Sequence, residues 1–204
     1  MFLPAQVSAQ DTVRRSVSIG IDLLKNAWPL ATLYPEVRSA YTVEPTLIIP
    51  LHHPYRYLHI TPGFTRFSAK ETNSSVLSGQ GYYLKVGLER RKRNFGVGLA
   101  SLITFWQDEG FYRFKGSYFG DYSGRIPQQN HLAVGGEFFI SSLIRVKKRL
   151  AIRLQPRLTL LAPFTDYNER PDPPFLPGVG LIEGDRWKLS SGFSVQLIYR
   201  TSSN

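Results

Sequence analysis

Histidine and serine are the side chains in this sequence that could carry out group chemistry, because its 204 residues contain four histidines and no cysteine. The absence of cysteine removes a thiolate nucleophile, a thiolate metal site and any disulfide. His131 precedes Glu137 by six residues on one strand face, and Ser190 or Ser194 could stand across from them. A Ser–His–acid set works only when all three groups are in hydrogen-bond contact, which spacing alone does not supply, so no catalytic residue is assigned. His52, His53 and His59 are split by a turn and have no carboxylate near them. They make no metal site, and no cofactor is expected.

The charges are the stronger signal. Lys and Arg number 25 against 15 Asp and Glu, a formal net charge of +10. Eight cations fall in three short turns: Arg56; Arg90, Arg91, Lys92 and Arg93; and Lys147, Lys148 and Arg149. Nucleic-acid binding would need basic residues interleaved with exposed aromatics on one face, so no nucleic-acid partner is expected. The turns read as a solvated basic rim able to snorkel at an interface or meet an anionic partner.

The elements that hold these turns are strands. Period-two alternation marks eight segments: Ser16–Leu24, Ala40–Leu51, Tyr57–Ser68, Gly81–Glu89, Phe95–Trp106, His131–Val146, Arg149–Leu161 and Trp187–Tyr199. Connections alternate between short (His52–Arg56, Arg90–Asn94, Val146–Arg149) and long (Lys25–Arg38, Ala69–Gln80, Gln107–Asn130, Pro163–Arg186). This pattern predicts an all-β, eight-stranded antiparallel up-and-down barrel whose two ends differ, as in transmembrane barrels.

Residue size says which face points inward. The polar face mixes glycines and serines with Asp22, Glu44, Lys85, Glu89, Glu137, Arg145, Arg153, Arg157 and Lys188. Small residues beside charges of both signs suit a crowded lumenal charge network, and the apolar face is then left for lipid. Trp28, Trp106 and Trp187 near the long-loop ends, with Tyr57 and Tyr199 near the short turns, read as aromatic girdles.

Residues 190–199 alternate through Gly192 to an aromatic at Tyr199, the form of a C-terminal barrel-assembly signal, although five residues follow. At the other end Val7-Ser8-Ala9 before Gln10 has the form of a secretory cleavage site. Residues 1–10 are therefore expected to be the remnant of a signal peptide, and residues 11–204 a single barrel domain. No run of about 18 apolar residues follows, so no transmembrane helix is expected.

Residues 17–23 (Val-Ser-Ile-Gly-Ile-Asp-Leu), residues 81–89 (Gly-Tyr-Tyr-Leu-Lys-Val-Gly-Leu-Glu), Pro177-Gly178-Val179-Gly180 and the terminal strand together carry a resemblance. The chain resembles the small outer-membrane β-barrels of Bacteroidota, in the broad class that includes the transmembrane domain of outer membrane protein A. Within that class it is similar to a family known only as a domain of unknown function. The resemblance implies the outer membrane of a Gram-negative bacterium, contact with outer-membrane lipid, and no particular ligand.

The expected function is that of a structural or accessory barrel with a plugged polar lumen, its loops or periplasmic rim contacting a periplasmic or outer-membrane protein. One alternative is an outer-membrane lipid-modifying enzyme, an acyltransferase or deacylase. It draws on Pro45, Pro62 and Pro156, each of which removes a ladder donor within a strand and needs a bulge or a gap. The other alternative is a secreted soluble carrier of the lipocalin kind.

Overall fold

The computed structural model describes residues 16–23, 37–69, 75–114, 120–164, 175–176, 178, 180–181 and 187–201. Residues 1–10, expected to be a signal-peptide remnant, Trp28 and most of the expected first long loop lie outside them. The described strands are β1 (Ser18–Asp22), β2 (Val37–Val43), β3 (Pro45–Pro50), β4 (Arg56–Ala69), β5 (Ser75–Lys92), β6 (Phe95–Phe114), β7 (Tyr122–Arg145), β8 (Leu150–Pro163), β9 (Phe175–Leu176), β10 (Gly180–Leu181) and β11 (Lys188–Arg200). The pairings β1–β3, β3–β4, then each neighbour in turn to β8, then β8–β11 and β11–β1 close an antiparallel up-and-down ring of eight strands. Because β1 pairs β11, each of these eight strands has a neighbour on both sides, while β2 pairs β4 alone among the described residues.

The eight strand positions agree with the alternation, but the lengths do not. The expected strand Ala40–Leu51 is two strands, β2 and β3, which pair with β4 at the same offset on either side of Glu44, from Ser39↔Ser68 to Val43↔Phe64 and from Leu47↔Ile60 to Pro50↔Tyr57. The expected loops Ala69–Gln80 and Gln107–Asn130 are largely strand. Ser75–Gln80 of β5 pairs residues 107–112 of β6, and β6 continues to Phe114 opposite Tyr122. Their polar, glycine-containing composition reads as loop, yet cross-strand hydrogen bonds satisfy the backbone whatever the side chains are. The last long connection contains the small hairpin β9–β10.

Two ladders are interrupted beside prolines. No pair is formed between Val43↔Phe64 and Leu47↔Ile60, the stretch that holds Pro45 and Pro62. The β7–β8 ladder likewise skips from Phe139↔Arg157 to Ser142↔Leu154, beside Pro156. Proline offers no N–H to a neighbour, so the gaps fall where the donors are missing.

Within the ring burial alternates, with charged and polar side chains inward beside apolar ones such as Ile48, Leu102 and Leu143, and with mostly apolar side chains outward. Along β5 and β6 the outward residues Leu88, Phe95, Val97 and Leu99 are 50–68% exposed, whereas Lys85, Glu89 and Glu137 are 1–4% exposed. Glycines make room inside: a Cβ on Gly63 would strike the ring of Tyr83, and one on Gly98 that of Phe139. Gly178, with φ of 80°, brings the last long connection down onto Tyr83, where a Cβ would meet the ring at 2.7 Å. Only glycine combines that backbone angle with so close an approach.

Candidate functional site

The interior is a stack of charge clusters. Nearest the short turns, Glu89 of β5 is the hub. Arg91 grips it with Nε at 3.0 Å from Oε1 and Nη2 at 2.6 Å from Oε2. Arg153 of β8 adds Nη2 at 3.2 Å, and Ser141 of β7 donates its hydroxyl to Oε1. His59 of β4 lies with Nε2 2.5 Å from Oε2, while its Nδ1 faces Arg153 Nη1 at 3.4 Å. A guanidinium only donates, so toward Arg153 the ring nitrogen can only accept. Arg153 also donates to Gln196 at 3.1 Å and lies 5.4 Å over the Phe139 ring.

A second cluster sits at mid-height. Glu137 of β7 accepts from Lys85 at 2.6 Å and from Thr159 at 3.3 Å. Arg157 Nη1 lies 3.7 Å from Glu137 and 3.8 Å from Glu44. Tyr83 donates its hydroxyl to Glu44, so the residue that separates β2 from β3 is tied across β4 to β5. Two acids and two cations balance, as removal from water requires. Beside them Ser194 donates to Asp22 at 2.6 Å. Toward the long-loop end Trp106 stacks on His131 with centroids 5.1 Å apart, and His131 Nε2 lies 3.2 Å from Asp108.

Little space remains. A cavity of about 20 Å³ lies among Lys85, Glu137, Arg153, Gln155 and Gln196. Of the lining atoms, Gln155 Oε1 and Arg153 Nε have no hydrogen-bond partner among the described residues. A void needs roughly 10–15 Å³ to hold one water, so this one fits a bridging water and no larger molecule.

Asp22, Glu44, Lys85, Glu89, Glu137, Arg153, Arg157 and Lys188 are all buried. Four expected positions differ. Arg145, expected in the lumen, is exposed, because its strand ends there. Arg91, expected on the basic rim, points inward to Glu89, whose side of β5 it shares. Trp106, expected in a girdle, is fully buried against His131. Tyr57, the other misplaced girdle residue, packs inside with Arg91 4.6 Å over its ring. Trp187 and Tyr199 are exposed, at 60% and 47%. Arg56, Arg90, Lys92, Arg93, Lys147, Lys148 and Arg149 are exposed at the short-turn end.

Sequence reading missed His59, Tyr83, Asp108, Ser141 and Gln196. His59 and Tyr83 could have been found from parity, since they alternate with outward apolar residues as Glu89 does. Of the considered Ser–His–acid set, Ser194 donates to Asp22, His131 lies against Asp108 and Glu137 accepts from Lys85, while Ser190 is buried on β11. Among the described residues no group of three or more His, Asp or Glu is placed to hold a metal ion.

What the fold and site define is a class: a closed antiparallel ring with a charged, filled interior and an apolar exterior. No protein-family model matches the chain, and no curated protein matches it.

Proposed function

We propose that the chain is a transmembrane β-barrel of the outer membrane of a Gram-negative bacterium, of the Bacteroidota kind its strands resemble. Its lumen is sealed, and it serves a structural or accessory role. The observation that carries this reading is the inverted burial, with Arg153 and Lys188 at 1% exposure and Leu99 and Phe95 at 66% and 68%. Monomeric soluble proteins rarely expose contiguous apolar patches beyond a few hundred Å². Hydrocarbon accepts such a band, and a closed ring meets its demand that backbone groups pair internally. A soluble carrier of a small hydrophobe would need the reverse, an apolar interior. The outward Trp187 and Tyr199 suit the two interfaces.

Beyond the ring, β5, β6 and β7 continue as a three-stranded ribbon. Phe111 and Tyr122 are exposed on it at 62% and 64%, and Tyr112 donates to Tyr122 at 3.4 Å. Exposed aromatics on a paired ribbon at the long-loop end fit contact with another outer-membrane protein.

The two ladder gaps favour the enzyme as the second reading, since lipid could approach the interior where Pro45, Pro62 and Pro156 interrupt pairing. Against it, Glu44, Tyr83 and Arg157 fill the space behind one gap and Gln155 borders the other, so an acyl chain finds no channel. Liposomes carrying the protein are expected to swell in arabinose no faster than protein-free liposomes, and lipid A from cells lacking it to keep its acyl pattern. Rapid swelling would contradict the sealed lumen, and an altered acyl pattern would favour the enzyme.

A further inference from the structure

Arg56 and Arg90 stand directly opposite one another on β4 and β5, both exposed on the outer face. Neither side chain has an ion-pair or hydrogen-bond partner among the described residues. Like charges directly across a ladder repel, so this pairing is unfavourable unless an anion bridges it. Both arginines border a wide, open and mainly apolar hollow of about 1180 Å³ on the outer surface of β4–β8. One row of its lining runs Leu88↔Leu99↔Phe138↔Leu158 across four strands. In the next row the floor drops at Ser101↔Gly136, where a Cβ on Gly136 would meet only the Ala100 carbonyl oxygen, at 3.8 Å.

We infer that this groove and arginine pair seat one anionic phospholipid of the leaflet beside the short turns. The headgroup phosphate accepts hydrogen bonds from both guanidiniums, a geometry arginine's planar fork favours. One acyl chain lies over Gly136. Four residues separate Arg90 from Val86, or about 13 Å of strand at ~3.3 Å per residue, close to half of a ~30 Å hydrocarbon core. The groove thus fits a single leaflet's lipid. This seat rests on the transmembrane reading.

The test is native mass spectrometry of the detergent-solubilised full chain with equal amounts of dioleoylphosphatidylglycerol and dioleoylphosphatidylcholine. Two arginines at the headgroup level favour an anionic over a zwitterionic lipid, so the wild type is expected to prefer phosphatidylglycerol by about tenfold or more. Arg56→Gln with Arg90→Gln should remove that preference, and Lys147→Gln with Lys148→Gln should leave it. Gly136→Phe, which fills the groove without touching the interior, should reduce adducts of both lipids. Equal binding by the wild type, a preference that survives the double arginine variant, or one lost equally with the lysine pair would overturn the seat. In each of those cases a wild type that still requires detergent leaves the barrel reading standing. A wild type that stays in solution without detergent sinks both.

Discussion

Glu89→Ala is expected to abolish formation of the heat-resistant folded form, or to lower the urea midpoint of what does fold by the equivalent of roughly 3–5 kcal/mol. Glu89 is 1% exposed and, among the described residues, is the one acid in ion-pair contact with Arg91 and Arg153. Removing it leaves two guanidiniums buried without a counter-charge, alongside His59 and the Ser141 hydroxyl, which lose their acceptor. Each such group bears a desolvation cost that the lost pairing had offset. Glu89→Gln keeps the shape and one acceptor oxygen, so it should lie between the wild type and the alanine variant. Urea titration in micelles, followed by tryptophan fluorescence, reads the order. Equal midpoints for all three proteins would mean that the charge cluster does not hold the ring together.

The second large effect is expected on the opposite face. Leu99 lies near the centre of the apolar band on β6, which runs from Phe95 to Phe105, and it is 66% exposed. In water, Leu99→Arg would be an exposed substitution worth about ±0.5 kcal/mol. In a bilayer an outward arginine near the midplane costs roughly 2–4 kcal/mol. Folding into phosphatidylcholine vesicles, measured by urea titration, should therefore show a loss of that size. A variant as stable as the wild type would place this face in water.

These two residues also show how much the chain disclosed. Period-two alternation needs no knowledge of partners, so Lys85, Glu89, Glu137, Arg153 and Arg157 were legible as one interior set and Leu99 as its outward counterpart. Parity assigns Trp106 to the same side as Gly96 and Gly98, and Arg91 to the same side as Glu89. Both were misread because residue type was weighed above position: tryptophan suggests an interface, and arginine in a run of cations suggests a rim. Tyr57 fell to the same error.

Other features could not have been read. The meeting of Glu44 with Tyr83, or of Arg153 with His59, depends on how the closed ring sets strands across from one another, which local pattern does not encode. The length of β6 and β7 was hidden because their outer halves are polar, and Asp108 was lost with them. Pro45, Pro62 and Pro156 did mark the two gaps, since a missing N–H acts wherever the proline stands. The Arg56–Arg90 seat was visible only as two members of a basic rim, and their cross-strand register is what singles them out.

The central claim is that this ring is a sealed barrel living in a membrane, and electrophoresis of detergent-extracted protein, unheated and boiled, tests it most directly. The account predicts that the protein leaves the membrane only with detergent, migrates faster unheated than boiled, and loses that difference in Glu89→Ala. Protein recovered in the aqueous fraction without detergent, with one mobility before and after boiling, would contradict it.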